Sequence, residues 1–218
     1  MPLFIVNFKT YENGTGKKAL RLAKIIDKVA VDFQDTDIDV VIAVQPADIR
    51  LIADKVSIPV FAQHVDPTTC GSNTGSVLLE SVIEAGARGA IINHSEHRMK
   101  LEDIKKTIRR AKKLDFPVIV CVDKLSLGEK VSNLRPDFIA IELPELIGGK
   151  KSISLVKPNL IKKCVKALGN RVIAGSGIRG FDDVKKAIDL GANGVLVANA
   201  IVNAKKPEKV LKDLLTAF

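Results

Sequence analysis

Short apolar runs, each followed by a helical stretch or a short helical turn, recur along this 218-residue chain and constrain its fold more than any other feature. Within each run the apolar residues are consecutive rather than alternating, which is typical of parallel strands covered by helices. The eight runs are Leu3–Phe8, Val40–Val44, Pro59–Gln63, Gly89–Ile92, Pro117–Val122, Phe138–Ile141, Val172–Ala174 and Gly194–Val197. The sequence therefore predicts an α/β protein with a parallel sheet.

Eight strand–helix units without a Pro/Ser-rich linker favour a closed (β/α)8 barrel that forms one domain over residues 1–218. Because such barrels usually contain about 250 residues, several helices are expected to be shortened to one or two turns. An open, doubly wound sheet is the alternative. It usually has fewer strands, and the glycine-rich turn that often follows its first strand is missing here.

In such a barrel, residues just after the C-terminal ends of the strands lie together on one face. A lysine, a histidine and a glutamate on this rim could polarise an oxygen, move a proton and hold an anion. The rim residues are Asn7, Lys9, His64, His94 to Glu96, Glu142, Gly175 to Gly177 and Ala198 to Ala200. The sequence predicts proton-transfer chemistry on a phosphorylated or otherwise anionic substrate.

The stretch from His94 to His97 could suggest a metal site, but the nearby sequence offers no cysteine or third histidine to complete one. We therefore expect His94 to act without a metal. Glu96, His97 and Arg98 are expected to support the loop or to be solvated, and His64 to be structural.

Two glycine-containing loops are candidate substrate contacts. The stretch 143–150 begins with a stiff Leu-Pro pair and ends in Gly-Gly-Lys, which predicts a lid, with an ordinary surface loop as the alternative. The turn Gly175–Gly177 is weak evidence alone. After the seventh strand, however, it is placed to bind phosphate through backbone N–H groups.

The composition limits the classes of partner that this protein is expected to bind. The net charge of +9 is compatible with nucleic acid, a membrane surface or a small anion. With Trp 0 and Tyr 1 there is no stacking platform for bases, so no nucleic-acid partner is expected. No apolar run reaches the roughly 18 residues of a membrane span, and no leader is visible, so a soluble cytoplasmic protein is expected. The three cysteines lack paired spacing and are expected to be reduced.

Three motifs and a late glycine turn, in this order, closely resemble the triosephosphate isomerase family, in particular its short archaeal form. The motifs are Asn7-Phe8-Lys9, Asn93-His94-Ser95-Glu96-His97-Arg98 and Glu142-Leu143-Pro144-Glu145-Leu146-Ile147-Gly148. The resemblance covers essentially the whole chain. It implies a TIM barrel that interconverts dihydroxyacetone phosphate and D-glyceraldehyde 3-phosphate in glycolysis and gluconeogenesis, without a cofactor or metal.

This resemblance also implies catalytic roles for individual residues. In the family a glutamate is the base, a neutral histidine is the electrophile and a loop closes over the substrate. These roles would fall to Glu142, to His94 and to the loop after Glu142. Lys9 would stabilise the enediolate and help to hold the phosphate, and Asn7 would hydrogen-bond a substrate oxygen.

Supporting and phosphate-binding residues are also implied. Glu96 would orient Lys9, and Ser95 would contact Glu142 when the lid is open. Backbone N–H groups of Ile147 or Gly148, Gly177, Ala198 and Asn199 would bind the phosphate. The chain differs from the family pattern in the Gly149-Lys150 end of the lid, where Thr-Gly is usual, and in Asn199-Ala200, where the family has Ser-Gly or Gly-Gly.

The stretch Cys70–Gly75 resembles the family's third loop, which projects into a partner subunit. Asn73 and Thr74 would make that contact, so a homodimer is implied, with a homotetramer of such dimers or an ordinary surface loop as alternatives. Two other functions stay open: a different phosphosugar isomerase or lyase on the same barrel, and a catalytically weak protein that binds polyanions.

Overall fold

The computed structural model describes residues 1–149 and 151–218, and in these residues eight parallel strands form one closed barrel in chain order. Closure is made by the first and last strands, whose register pairs Leu3 with Gly194 and Val6 with Val197. The strands are β1 Leu3–Asn7, β2 Asp39–Val44, β3 Val60–Ala62, β4 Gly89–Ile92, β5 Val118–Val122, β6 Phe138–Ile141, β7 Val172–Ala174 and β8 Gly194–Val197. The predicted barrel is confirmed, and the open sheet is wrong.

Helices cover the outside of the barrel. Several are short, as predicted: α2 has 5 residues, α3 has 6, and α6 and α9 have 4 each. The α-helices are α1 Gly16–Asp32, α2 Ile49–Ala53, α3 Leu79–Glu84, α4 Leu101–Lys113, α5 Leu125–Ser132, α6 Ile153–Val156, α7 Pro158–Leu168, α8 Phe181–Asp189, α9 Asn199–Val202 and α10 Pro207–Leu215. Single 3-10 turns lie at Glu12–Gly14, Pro46–Asp48 and Pro144–Leu146. No helix among the described residues is long and apolar enough to cross a membrane.

The strands are apolar at consecutive positions because both of their faces are buried. Successive side chains of a strand point to opposite faces. One set packs against the helices, while the other fills the barrel interior with Leu3, Ile5, Val41, Ala43, Phe61, Ile91, Ile119, Cys121, Ala140, Ile173 and Leu196. The bulky Phe61 ring requires a neighbour without a side chain, because a Cβ at Gly89 would lie 2.4 Å from Phe61 Cζ. The interior is therefore a packed core that supports the rim above it.

Candidate active site

The chain turns sharply after β1 and brings Lys9 over the rim. Lys9 has a positive φ of 48°, and its backbone N–H donates to Oδ1 of the buried Asn7 at 3.0 Å. Its Nζ donates to Glu96 Oε1 at 2.7 Å, while the side chains are 10% and 55% exposed respectively. Two residues that are 87 positions apart are thus joined, and the ammonium group is held at the mouth of the barrel.

Asn93 makes the corresponding turn after β4. Its φ is +56°, a conformation that asparagine tolerates better than most residues. Its buried side chain donates from Nδ2 to Cys121 O at 2.7 Å and accepts at Oδ1 from the Met99 N–H at 2.8 Å. These two bonds tie the loop to β5 and present His94 to the cavity.

The hydrogen bonds of His94 indicate its tautomer. The Glu96 backbone N–H donates to His94 Nδ1 at 3.2 Å, so this nitrogen is an acceptor without a proton. A neutral imidazole then carries its proton on Nε2. This atom lies 3.3 Å from Glu142 Oε1. The buried His94 therefore directs an N–H donor towards the carboxylate at the end of β6.

Glu142 is the most deeply buried carboxylate of the rim, with its side chain only 1% exposed. Neither of its carboxylate oxygens makes a well-aligned hydrogen bond with a described residue, although His94 Nε2 is close. Buried polar atoms without partners are rare in folded proteins. Gly175 packs closely on this side chain, since a Cβ there would lie 2.7 Å from Glu142 Cγ. The carboxylate is thus positioned by packing, and both of its oxygens keep hydrogen-bonding capacity that the described residues do not use.

The barrel interior directly beneath the carboxylate is apolar. Cys121, on β5, is buried there, and this burial, followed by the negative charge of Glu142, raises the pKa of its thiol well above the usual range. The thiol stays neutral at physiological pH. Cys121 therefore adds no charge to the floor of the site.

One cavity joins the rim to the loop that begins at Leu143. It is lined by residues from both of these and from the loops after β7 and β8: Lys9, Tyr11, His94, Glu142, Ile147, Gly148, Gly149, Gly175, Gly177, Ile178, Arg179, Leu196, Ala198, Asn199 and Ala200. The structure thus gathers most of the predicted residues around one volume. Lys150 lies outside the described residues.

A second cavity lies beside the first and shares Lys9 and His94 with it. Asn7, His64, Glu96 and His97 also line this neighbouring cavity. The rings of His64 and His97 pack against each other, with centroids 4.1 Å apart and planes inclined by 39°. His64 Nε2 lies 3.1 Å from Asp66 Oδ1. Burial lowers the pKa of His64 even though the neighbouring Asp66 opposes this shift.

The remaining residues of the 93–98 motif lie at the edge of the site. Arg98 forms an ion pair with Asp123 at 3.3 Å. Ser95 Oγ is buried and bonds to no described residue. Within residues 1–149 and 151–218, no group of three or more histidine, cysteine, aspartate or glutamate side chains is placed to hold a metal ion.

Sequence reasoning missed two residues at this site and the main contact of a third. Tyr11 and Arg179 line the main cavity, but neither belongs to a motif that would have singled it out. Ser176 was predicted only as part of a glycine turn. In the structure its Oγ accepts a hydrogen bond from the Leu143 N–H at 3.1 Å, a contact between residues 33 positions apart that no local pattern reveals.

A closed parallel barrel with a lysine, a histidine and a buried glutamate on its C-terminal rim defines a (β/α)8-barrel enzyme. The family model described as triosephosphate isomerase matches residues 2–216. The chain belongs to the triosephosphate isomerase family, as its motifs predicted, and therefore to the isomerases.

Its relatives agree with the predicted archaeal form. The chain is 42% identical over 220 residues to triosephosphate isomerase of Methanothermus fervidus, covering 99% of this chain and 98% of that protein. It is 44% identical over 220 residues to the enzyme of the same name from Methanobacterium bryantii, covering 99% and 96%. The crystal structure of triosephosphate isomerase from Bartonella henselae is similar in fold, with a TM-score of 0.75 at 17% identity over 99% of this chain and 98% of that one.

Proposed function

We propose that this protein interconverts dihydroxyacetone phosphate and D-glyceraldehyde 3-phosphate through an enediolate, as a step of glycolysis and gluconeogenesis. The observation that carries the proposal is the placement of the buried Glu142 carboxylate 3.3 Å from Nε2 of His94, in the cavity that also receives Lys9. Family membership supports the same substrate pair.

Each side chain has a role that its surroundings allow. Glu142 removes a proton from the carbon next to the substrate carbonyl and later returns it to the neighbouring carbon, which is general base and then general acid catalysis. His94 Nε2–H donates to the oxygen on which negative charge develops, and Lys9 stabilises the same charge electrostatically. Asn7 holds the turn that carries Lys9, and it is proposed to hydrogen-bond a substrate oxygen. Glu96 keeps the Lys9 ammonium in place.

The phosphate is proposed to bind on the opposite side of the cavity through backbone N–H groups. Of the two lid candidates, Ile147 already donates its N–H to Pro144 O at 3.2 Å, which favours Gly148. Gly177, Ala198 and Asn199 complete this subsite, and each lines the cavity. Because the chemistry consists of proton transfers between these groups, activity is expected without an added metal or cofactor.

The test is a coupled isomerase assay on Glu142→Asp. Shortening the side chain withdraws the carboxylate by about 1 Å or more, a misplacement that can reduce the rate roughly 100-fold. We expect a loss of at least this size in kcat with an unchanged fold. The matched control is Glu129→Asp on the surface of α5, which should be as active as the wild type.

Near-normal turnover in Glu142→Asp would exclude this glutamate as the base. An assay against a panel of sugar phosphates tests whether the enzyme prefers another substrate. This test is needed because Asn199 and Ala200 line the proposed phosphate subsite at positions where the family usually has a glycine. A clear preference for another sugar phosphate would replace the proposed substrate while keeping the proton-transfer chemistry.

We also propose that the protein is a homodimer. Residues 69–76 form a fully exposed stretch, and Asn73 and Thr74 lie in it. The neighbouring cavity beside Lys9 is the surface that a partner's loop would fill. Sedimentation equilibrium should give twice the mass of the chain. A monomer would contradict the proposal, and a fourfold mass would indicate a homotetramer.

A cytoplasmic location is proposed from the glycolytic role. The free state of Cys70, Cys121 and Cys164 supports a reducing compartment. Fractionation of cells that produce the protein at its natural level should recover it with the cytoplasmic enzymes. Recovery with the membranes or outside the cell would contradict this location.

A further inference from the structure

The loop after β7, residues 175–180, contacts the first and last residues of the lid and also the start of α6 beyond it. The lid is defined here as residues 143–149. At one end, Ser176 Oγ accepts the Leu143 N–H, and just beyond the other end Ser176 O accepts the Ile153 N–H at 3.0 Å. Between these points, Arg179 Nη1 donates to Gly149 O at 3.2 Å. The three contacts link this loop to the first residue of the lid, to its last residue and to the first residue of α6.

The contacts of Ser176 and Arg179 differ in kind. The Ser176 contacts are made to Leu143, where the lid begins, and to Ile153 in α6 beyond it, where a hinged loop stays attached whether it is open or closed. The Arg179 contact is made to Gly149, the last residue of the lid, and it ties this residue to the loop after β7. The bond is lost if the lid moves away from that loop.

The backbone of Arg179 is held by a hydrogen bond to Asp183 in α8. Its N–H donates to Asp183 Oδ2 at 2.8 Å, and the same carboxylate oxygen accepts from the Gly180 N–H at 3.1 Å. Asp183 belongs to the first turn of α8, which is packed against the barrel. The loop that carries the guanidinium is thus held by α8, which gives the side chain a fixed base from which it reaches Gly149.

The charge of Arg179 is also placed for an anion. The residue lines the main cavity together with Gly177 and Asn199, on the side proposed for the phosphate. No carboxylate among the described residues lies within 4.0 Å of its guanidinium nitrogens, so its interaction with Gly149 O does not compete with an ion pair. A phosphate bound beneath the lid would favour the guanidinium in this position.

We propose that Arg179 is a positioning residue that latches the lid over the substrate phosphate, which rests on the proposed function of the same site. The guanidinium links the lid to the rim, and the bound phosphate keeps it there. Affinity for a phosphorylated ligand then depends on Arg179, while affinity for the same ligand without its phosphate does not. An ordinary surface arginine would show neither property.

The test compares Arg179→Met with Arg171→Met in the full chain. Arg171 makes the same type of contact, from Nη1 to Pro136 O at 3.4 Å, but it directly precedes β7 and so lies at the opposite end of the barrel. Ligand affinity is measured by calorimetry with 2-phosphoglycolate, a small carboxylate that carries a phosphate, and with glycolate. Hydrogen exchange of the amides in residues 143–149 is followed in the 2-phosphoglycolate complex.

For Arg179→Met we expect 2-phosphoglycolate to bind about tenfold more weakly, which corresponds to about 1.4 kcal/mol. The lid amides should exchange faster in its complex than in the wild-type complex. Glycolate affinity should not change, and Arg171→Met should resemble the wild type throughout. In Arg179→Lys, which keeps the charge and a donor, part of the affinity and of the lid protection should return.

Unchanged lid exchange in the Arg179→Met complex would overturn the latch. If affinity falls without faster exchange, Arg179 only attracts the phosphate, and the latch is again overturned. None of these measurements requires turnover. A wild-type protein that shows the latch with 2-phosphoglycolate but no isomerase activity would refute the proposed function and leave the latch standing.

Discussion

Replacing Gly175 by alanine would test whether packing from β7 positions Glu142, the proposed catalytic base. A Cβ at Gly175 would lie 2.7 Å from Glu142 Cγ and 3.2 Å from its Oε1. Ordinary contacts of a Cβ begin at 3.4 Å, so the carboxylate side chain would have to retreat by the difference, about 0.7 Å. Gly175 does not have a positive φ, and alanine therefore introduces no backbone strain of its own.

The expected result is a large loss of activity in a folded protein. Misplacement of a reacting group by about 1 Å can cost roughly 100-fold in rate, so a shift of this size should lower kcat roughly 10- to 100-fold. The assay is steady-state isomerisation with each triose phosphate. Circular dichroism and thermal unfolding show in parallel whether the barrel is intact.

Two glycines serve as matched controls. Gly180 lies in the same loop with an extended backbone, and a Cβ there would meet no atom within 4 Å, so Gly180→Ala should keep full activity. A Cβ at Gly128 would lie 2.9 Å from Leu168 Cδ1 in the helix layer, so Gly128→Ala should lower stability but not kcat. A kcat for Gly175→Ala within about threefold of the wild type would refute the idea that this contact positions Glu142.

Three further predictions concern stability and reactivity. Asn93→Ala should lower the free energy of unfolding by roughly 2–4 kcal/mol in urea melts, because two buried hydrogen bonds are lost and alanine disfavours the positive φ. The free energy of unfolding should fall as the pH drops below about 6.5, because burial lowers the pKa of His64 in the folded protein and the unfolded chain therefore binds more protons in this range. His64→Gln should flatten this pH dependence. In a thiol titration Cys70 should react in the native protein, whereas Cys121 and Cys164 should react only after unfolding, since burial raises the pKa of both thiols, that of Cys164 to about 11.

A specific result would contradict each of these three predictions. Asn93→Gly restores the backbone freedom and separates the two causes, and an Asn93→Ala variant as stable as the wild type would show that neither matters. An identical pH dependence in His64→Gln would assign the proton uptake to another group. Rapid reaction of all three thiols would mean that the barrel interior opens readily.

Short local sequence patterns correctly predicted the strands of the barrel. Consecutive apolar residues such as Gly89–Ile92 and Phe138–Ile141 became strands with the predicted bounds, because burial on both faces selects that composition whatever the rest of the chain does. The position of His94 and Glu142 directly after these strands was enough to place both on one rim. Family motifs then predicted roles for these residues that a rim position alone does not specify.

Only the tertiary structure decided how these groups meet. The 2.7 Å contact of Lys9 with Glu96 and the approach of His94 to Glu142 join residues that are far apart in the chain, and side-chain directions across a rim depend on packing. The contact of Arg179 with the lid arises in the same way, from a loop after β7 that the closed barrel brings next to the loop after β6. The sequence by itself determined the strands, the rim and the family, since these depend on local composition and order. Distances, tautomers and contacts between loops depend on how the strands close around one core.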